Sequence, residues 1–203
     1  MEFIRGLHNL RDRHTACALT IGNFDGVHLG HQQILKILVE KAQLLNLDAC
    51  LMSFEPLPQE YFSTQTAPAR LTRLREKWCA LESTGINQFL CIKFNHWLAD
   101  LTAEEFIEKN LLDYLHVRYL GIGDYFRFGK GRKGDFEMLT EAGKQHGVEV
   151  VNSHSHCLEG VRISSTNIRA ALANNQLETA EKMLGHAYQI CGRVAHGDKR
   201  GRT

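Results

Sequence analysis

The sequence predicts a doubly wound α/β fold, in which helices cover both faces of a parallel sheet. Short apolar runs alternate with segments of helical character along most of the 203 residues. Parallel strands need a crossover between them, usually a helix, so this alternation favours a parallel sheet over an antiparallel one. In such sheets ligands bind beyond the carboxyl ends of the strands.

Local signals place the individual elements along the chain. The apolar run 17–22 predicts the first strand, and the spacing of apolar residues over 34–39 predicts that a helix follows it. Thr102-Ala103-Glu104-Glu105 is a capping box, which begins a helix, and Gly85 ends an earlier one. Strands are predicted at 17–22, 49–54, 89–94, 118–122 and 148–151, and helices at 30–46, 71–83, 102–115, 135–146 and, as a pair, near 165–184.

Two segments depart from this alternation. Residues 55–69 include all three prolines and show no clear period, which predicts a long loop of the kind that is often functional in compact domains. After Gly185 the composition changes, and a strand-like run at 188–194 precedes a loop-like end. We therefore predict one main domain over 1–185 and a separate segment over 186–203.

Composition excludes several classes of protein. A net charge of +1 provides no global attraction to nucleic acid or to an anionic membrane, so neither is a predicted partner. No apolar run approaches the ~20 residues of a membrane span, and no signal peptide is evident. None of the six cysteines lies within four residues of another, and Cys17, Cys50 and Cys91 fall in strand-like runs as core residues. We expect a reduced, soluble, cytoplasmic protein, and the oligomeric state stays unknown.

The turn at 22–31, which reads GNFDGVHLGH, carries the strongest functional signal. It lies between a predicted strand and a predicted helix, so it presents unpaired N–H groups and the positive end of a helix dipole to an anion. Gly26 and Gly30 allow the backbone to approach a ligand closely. With His28 and His31 beside them, these features predict chemistry on a phosphate.

Two other interpretations of this turn stay open. Turn and capping histidines are common, so His28 and His31 could be structural. Together with Asp25 they could also hold zinc in a hydrolase, although no cysteine or further histidine cluster completes a tetrahedral set. The position between strand and helix agrees best with phosphate chemistry.

A second polar group begins the predicted helix near residue 165. Ser164, Ser165 and Thr166 lie between Arg162 and Arg169. One hydroxyl would be enough for an N-cap. Three hydroxyls with two guanidinium groups make this helix N-terminus suitable for a polyphosphate.

Two loops give weaker signals. The glycines of GKGRKG at 129–134 match the dinucleotide fingerprint of a nicotinamide oxidoreductase, but the fingerprint requires them in the strand-to-helix turn itself. We interpret this segment as a mobile basic loop that closes on phosphates, or else as a solvated loop. The 55–69 loop and the residue before it supply an apolar slot for a ring system, or aromatic core packing. The residues concerned are Phe54, Pro56, Pro58, Tyr61 and Phe62.

Taken in order, these motifs resemble those of the bacterial bifunctional riboflavin kinase/FAD synthetase family, specifically its FMN adenylyltransferase module, over about 3–185. The turn at 22–31 is similar to the nucleotide signature of that family. FEPLP at 54–58 and FRFG at 126–129 are similar to its next two motifs, and ISSTNIR at 163–169 to its last. The joint order and spacing of the four motifs are far more specific than any one of them.

The resemblance implies a nucleotidylyltransferase (Rossmann-like) fold that converts FMN and ATP to FAD and pyrophosphate with Mg²⁺, and that also phosphorylates riboflavin in the full-length protein. It assigns no residue as a metal ligand. It implies catalytic roles for His28, His31, Ser164 and Arg169; nucleotide contacts from Gly22, Phe24, Asp25, Gly26, Gly30, Asp124, Tyr125, Arg162, Ser165 and Thr166; and flavin contacts from Phe54, Pro56, Pro58, Phe62 and Phe128.

The implied chemistry needs no covalent intermediate. A phosphate oxygen of FMN attacks the α-phosphorus of ATP and pyrophosphate leaves, so catalysis consists of positioning and charge neutralisation. His28 and His31 would donate hydrogen bonds to phosphate oxygens. Ser164, Ser165 and Arg169 would stabilise the departing pyrophosphate.

Two features qualify the resemblance. The family usually has Asp or Asn where this chain has Tyr125, so a flavin- or nucleotide-binding module with weak or no turnover is the main alternative.

The tail GRVAHGDKRGR at 192–202 is similar to the start of the riboflavin kinase domain, but the Pro-Thr-Ala-Asn run expected next is absent. We therefore expect a truncated chain without kinase activity.

Overall fold

The main sheet consists of six strands, all parallel. The computed structural model describes residues 1–63, 65–153, 157–158, 160–193 and 197. The strands of the main sheet are β1 (Glu2–Arg5), β2 (Cys17–Ile21), β3 (Asp48–Glu55), β4 (Gln88–Lys93), β5 (Tyr119–Gly123) and β6 (Glu149–Ser153); β7 (Cys157–Leu158) and β8 (Val161–Arg162) form a separate antiparallel pair.

Helices connect the strands and end the domain. A π-helical segment, Phe106–Tyr114, continues α5, and one-turn 3₁₀ helices cover Leu7–Asn9 and Lys130–Arg132. The α-helices are α1 (Leu29–Leu45), α2 (Pro58–Phe62), α3 (Leu74–Glu82), α4 (His96–Asp100), α5 (Ala103–Glu105), α6 (Phe136–His146), α7 (Ser165–Ala173) and α8 (Leu177–Leu184).

The strand order, β1-β4-β3-β2-β5-β6, places a switch point beside β2. From β2 the chain moves to β3 and then β4 on one side, and it returns to add β5 and β6 on the other. The carboxyl ends of β2 and β5 therefore border a crevice from which the connections leave in opposite directions. Doubly wound sheets bind their ligands at such a crevice.

Alternate residues of the strands pack into two cores, one on each face of the sheet. Cys17 and Leu19 of β2 belong to one cluster, with Leu111 of the π-helical segment and Leu139 of α6. Ala18 lies on the opposite face, in a cluster that includes apolar residues of α1 and α3. Burial on both faces explains why the central strands are apolar throughout rather than alternating with polar residues.

A third, smaller cluster attaches the last two helices to the site. It joins Ile168 and Ala171 of α7 and Leu184 of α8 to Leu71 and Ile163. Leu71 lies three residues before α3, so this cluster brings the beginning of α7 against the segment that leads into α3. That packing decides where the hydroxyl groups predicted at 164–166 lie.

The structure confirms the predicted fold class and the five predicted strands, with ends that shift by one or two residues. Strand β1 was not predicted, because it is a four-residue edge strand with Ile4 as its buried residue. The predicted helix 102–115 begins at its capping box but continues with π-helical geometry. The burial of Cys17, Cys50 and Cys91 is confirmed.

Two other predictions are wrong. The expected loop 55–69 contains α2, which begins at Pro58. Proline is tolerated at the first position of a helix because the N–H of that residue would have no partner within the helix. The expected strand at 188–194 is not formed over 188–193, where the N–H of Cys191 donates to a carboxylate oxygen of Glu76 on α3 (3.0 Å) instead of to a neighbouring strand. Residue 194 and nearly all of 194–203 lie outside the described residues.

Candidate functional site

The turn between β2 and α1 adopts an unusual backbone conformation. Phe24, Gly26 and Val27 have φ values of 47°, 86° and 39°. Glycine adopts such values freely, but they are uncommon for other residues and rare for a β-branched residue such as valine. A turn that contains two such residues must be held by its surroundings.

The carboxylate of Asp25 provides the main attachment of this turn. Asp25 is only 2% exposed. Its oxygens accept hydrogen bonds from the N–H groups of Leu71 (3.0 Å) and Thr72 (2.9 Å) and from the Thr72 hydroxyl (3.2 Å). The guanidinium of Arg169 on α7 forms an ion pair with the same carboxylate. Asp25 therefore joins the turn to the start of α3 and to α7.

Further hydrogen bonds reinforce the same attachment. The N–H of Gly26 donates to the Thr72 hydroxyl (3.0 Å), and the Ser165 hydroxyl donates to the Asp25 carbonyl (2.8 Å). A Cβ atom on Gly26 would lie 2.8 Å from a methyl carbon of Leu71. Gly26 is thus required for close packing beneath the turn, and it does not line the cavity described below.

The two histidines of the turn stack at the N-terminus of α1. The His31 N–H donates to Nδ1 of His28 (3.2 Å), so His28 is the N-cap of the helix, and the two ring centroids are 3.6 Å apart. Because Nδ1 of neutral His28 accepts this bond, its proton is on Nε2. Nδ1 of His31 is buried without a hydrogen-bond partner among the described residues.

Both imidazoles are uncharged at neutral pH. Burial lowers the pKa of His28 to about 4, and the charge of Arg162 acts in the same direction while that of Asp25 opposes it. Burial also lowers the pKa of His31 well below its usual value, and His28 and Lys77 add to this effect. As neutral rings they can donate one hydrogen bond each to an anion without delivering a full charge.

The N-terminus of α7 lies across from these histidines. Ser164 caps the helix, since its hydroxyl accepts from the N–H of Asn167 (3.2 Å). Arg169 donates from Nε to the Ala69 carbonyl (2.6 Å) in addition to its ion pair with Asp25. The guanidinium of Arg169 is therefore already bound to two partners, the Asp25 carboxylate in the turn and the Ala69 carbonyl near the start of α3.

One cavity of about 370 Å³ collects nearly all of the residues predicted to contact the nucleotide. We call it the nucleotide cavity. It lies at the carboxyl ends of β2 and β5, at the switch point of the sheet. Thr20, Asn23, Gln59 and Ser153 also line it and were not predicted. The predicted residues that line it are Gly22, Phe24, Asp25, His28, Gly30, His31, Asp124, Tyr125, Arg162, Ser164, Ser165, Thr166 and Arg169.

Tyr125 and Arg162 meet at this cavity. The guanidinium carbon of Arg162 lies 4.3 Å from the centroid of the Tyr125 ring, a cation–π contact. Tyr125 is 69% exposed. The ring thus holds a cation at the cavity where the resemblance leads one to expect a small polar side chain.

A second cavity, of about 1010 Å³, adjoins the first. We call it the aromatic cavity. Gln59 and Phe126 line both cavities, so these two residues mark where they meet. Of the residues predicted to contact a flavin, Phe54, Pro58, Phe62 and Phe128 line the aromatic cavity and Pro56 does not; Tyr61, Phe94 and Phe106 add further rings.

The glycine-rich segment 129–134 does not form a dinucleotide fingerprint. Phe128 and Gly134 pair as an antiparallel bridge, and a 3₁₀ turn lies between them, so the glycines are not in a strand-to-helix turn. Lys130 pairs with Asp100 (2.9 Å). The segment borders the aromatic cavity rather than the nucleotide cavity, which corrects the expectation that it faces phosphates.

The zinc interpretation of the turn also loses its support. The Asp25 carboxylate is occupied by backbone N–H groups, a hydroxyl and Arg169, so it is not available beside the two imidazoles. Among the described residues, no group of three or more His, Cys, Asp or Glu side chains is arranged to hold a metal ion.

Within the same residues, no helix is long and apolar enough to cross a membrane.

This sheet order, with a cavity at its switch point, is that of the class of doubly wound α/β proteins, which bind their ligands at such a place. The sequence profile of the FAD synthetase family matches residues 10–167. The chain therefore belongs to the FAD synthetase family, and the predicted nucleotidylyltransferase type of fold is confirmed.

Two relatives agree with this assignment, and a solved structure shares the fold. Bifunctional riboflavin kinase/FMN adenylyltransferases of Escherichia coli (strain K12) and Haemophilus influenzae are 50% and 51% identical to this chain over its whole length. The chain spans 65% and 66% of those two proteins. A crystal structure from Streptococcus pneumoniae, titled a macrolide-efflux protein, matches this structure with a TM-score of 0.82. The match covers 98% of this chain and 66% of the other chain. At 24% sequence identity it shows a shared fold and nothing more.

Removal of the Asp25 charge should destabilise the protein strongly. In Asp25→Asn the guanidinium of Arg169 loses its carboxylate, and breaking a buried ion pair from one side costs about 3–5 kcal/mol. Urea denaturation measures the free energy of unfolding. Asp113→Asn, at an exposed position, is the matched control and should change it by less than about 0.5 kcal/mol. An Asp25→Asn variant as stable as the control would contradict the role assigned to this carboxylate.

The neutral state of His28 predicts a pH-dependent stability. Its pKa is about 4 in the folded protein, below that of an unfolded histidine, so the unfolded chain binds more protons between pH 4 and pH 6.5. Stability is therefore full above pH 6.5 and falls as the pH is lowered, by about 2 kcal/mol at pH 5 from this residue.

Urea denaturation of His28→Asn at pH 7.5 and pH 5 tests this dependence. Asparagine keeps an N-cap acceptor but does not titrate. The variant should lose about 2 kcal/mol less than the wild type between the two pH values. His146→Asn, at an exposed position, should behave as the wild type. The same acid sensitivity in His28→Asn would show that His28 is not the cause.

Proposed function

We propose that this protein transfers the adenylyl group of ATP to FMN, forming FAD and releasing pyrophosphate. The observation that carries the proposal is the junction of two different cavities. One is polar and lies at the N-termini of α1 and α7, and the other is lined by aromatic rings. They meet at Gln59 and Phe126, which suits a reaction that joins a polyphosphate to a flavin phosphate.

In this proposal the nucleotide cavity holds the phosphates of ATP. A nonbridging oxygen of the FMN phosphate forms a bond to the α-phosphorus, and the bond from that phosphorus to the bridging oxygen of pyrophosphate breaks. His28 donates from Nε2 to a phosphate oxygen, and the buried, unpartnered ring nitrogen of His31 supports a contact to the same group. Helix N-termini and fixed donors stabilise the developing charge without reorganising during the reaction.

The aromatic cavity would hold the isoalloxazine ring of FMN. Its volume and apolar rings suit a planar tricyclic ligand. The rings of Phe62 and Phe94 have centroids 5.6 Å apart and are nearly perpendicular, as are those of Tyr61 and Phe62 (5.3 Å). Such an arrangement offers both ring faces and ring edges to a ligand.

Mg²⁺ is the divalent cation we propose for the reaction. The nucleotide cavity supplies hard oxygen donors, including the hydroxyls of Thr20 and Ser153, whereas the Asp25 carboxylate is occupied. This donor set fits a cation that is held mainly by phosphates and water. When bound, Mg²⁺ would neutralise charge on the triphosphate.

Incubation with FMN, ATP and Mg²⁺, followed by chromatography, tests the proposal. We expect FAD and pyrophosphate to form in equal amounts. Absence of FAD would overturn the proposed reaction. If both substrates nevertheless bind, the result would support the alternative of a binding module, which the family assignment does not favour.

The same assay with riboflavin in place of FMN addresses the second activity in the relatives' name. We propose that 186–203 link this domain to a riboflavin kinase domain and that the domain over 1–185 forms no FMN by itself. The full-length protein would take riboflavin as a further substrate. We propose a cytoplasmic location, in agreement with the unpaired cysteines buried in the sheet.

Loss of the His31 ring should impair the chemical step. His31→Ala removes a donor at the phosphates, and loss of one such donor typically lowers kcat by about 10²- to 10³-fold. Circular dichroism should show that the fold is kept. His146→Ala, an exposed histidine on α6, is the control and should retain full kcat. A kcat within threefold of the wild type in His31→Ala would contradict the assigned role.

Tyr125 should affect ATP binding through its ring rather than its hydroxyl. Tyr125→Phe keeps the ring that carries Arg162, and Tyr125→Ala removes it. An exposed cation–π contact contributes about 0.5–1 kcal/mol, so we expect the alanine variant to raise KM for ATP about 2- to 5-fold with little change in kcat. The phenylalanine variant should match the wild type. Equal KM values for the two variants would rule out this role.

A further inference from the structure

The side chain of Lys77 is a buried cation that the proposed reaction does not use. It is on α3 and is 2% exposed, although lysine is almost never fully buried unless it is paired. Its Nζ donates to the Asn23 carbonyl (2.6 Å) and lies 3.5 Å from the Ser53 hydroxyl oxygen. Within the described part of the chain, no carboxylate forms an ion pair with it.

The carbonyl that Lys77 holds belongs to the turn itself. Asn23 precedes Phe24, one of the residues with positive φ, and the Ser53 hydroxyl also donates to the Asn23 carbonyl (3.3 Å). Two donors from outside the turn, on α3 and β3, therefore fix the orientation of one peptide group. Burying a lysine for this purpose is costly, which indicates that the orientation matters.

The orientation of that carbonyl determines where the next N–H points. The Asn23–Phe24 peptide is trans, so its C=O and the N–H of Phe24 point in opposite directions. The carbonyl points to Lys77 beneath the turn, and the N–H points away from α3. Gly22, Asn23 and Phe24 line the nucleotide cavity. Among the described residues, the N–H of Phe24 has no acceptor.

The charges around Lys77 leave its ammonium group as a source of positive potential beneath the turn. Asp25, Glu55, Arg70 and Cys91 face it from the surrounding elements. The pKa of Lys77 is lowered, mainly by burial and also by the charge of Arg70, while the charges of Asp25 and Glu55 oppose this effect. Those two carboxylates have other partners, since Asp25 pairs with Arg169 and Glu55 with Arg70.

We propose that Lys77 is a positioning residue for the nucleotide: by holding the Asn23 carbonyl, it directs the N–H of Phe24 to a phosphate oxygen in the nucleotide cavity. This role rests on the proposed function for the identity of the ligand. Lys77 itself does not touch the nucleotide. Backbone N–H groups directed at phosphates are effective donors because they are fixed before the ligand arrives.

Calorimetric titration of each variant with ATP tests the role directly. Lys77→Met keeps the length of the side chain but removes both donor and charge, and we expect ATP to bind about 10- to 100-fold more weakly, the effect of losing a hydrogen bond to a charged group. Lys77→Arg restores a cationic donor and should recover most of the affinity. If Lys77→Met does not fold, Lys77→Gln, which keeps a donor without the charge, should show a smaller loss in the same direction.

A destabilised control separates positioning from stability. Leu139→Ala empties a buried site in the other core and should lower the melting temperature without changing ATP affinity. ATP affinity equal to that of the wild type in folded Lys77→Met or Lys77→Gln would overturn the proposal. Because binding is measured without FMN, a wild type that binds ATP but makes no FAD would refute the proposed function and leave this result valid.

Discussion

The carboxylate of Asp25 connects the parts of this protein that form the nucleotide cavity. It is buried at the centre of a turn whose backbone would be unfavourable by itself, and it receives donors from the segment before α3 and from α7. These elements are far apart in sequence, and they meet at this one side chain. The energy gained from satisfied, charge-assisted hydrogen bonds compensates for the strain in the turn.

The same arrangement balances the charge of the carboxylate at the centre of the proposed phosphate site. The charge of Asp25 is balanced within the protein by Arg169 and by backbone N–H groups. The cavity surface is then left with helix N-termini, neutral imidazoles and hydroxyls. Lys77, buried beneath the turn without a paired carboxylate, shifts this balance further towards positive potential. Internal neutralisation thus creates a surface suited to phosphates from a nearly neutral chain.

A second network fixes the wall between the two cavities. Arg70 pairs with Glu55 at the end of β3 and with Glu60 in α2, and these contacts hold the segment that contains Gln59. Arg70 is next to Leu71, which donates to Asp25. The wall and the turn are therefore attached at adjacent residues, so the geometry of the aromatic cavity and that of the nucleotide cavity depend on one short stretch of chain.

Much of the fold and of the candidate site follows from local sequence patterns. Apolar runs, the capping box at Thr102 and the strand-to-helix turn depend on residues within a few positions of one another. They therefore predicted the parallel sheet and the grouping of His28 and His31 at the end of β2. Three predictions depended on weak or short patterns and were wrong or missing: β1 and α2 were not predicted, and the strand predicted over 188–194 is not formed over 188–193. Contacts with distant parts of the chain decide the structure of these segments.

Only the tertiary structure decided what the individual side chains do. The family resemblance implies that Asp25 contacts the nucleotide, and the sequence does not single out Lys77. In the structure Asp25 is bonded to residues 46, 47 and 144 positions away, and Lys77 to one 54 positions away. No local pattern encodes such partners. The sequence alone determined that a strand-to-helix turn with two histidines follows β2. The long-range packing of α3 and α7 determined which groups of that turn line the cavity, because it uses the others to hold the turn.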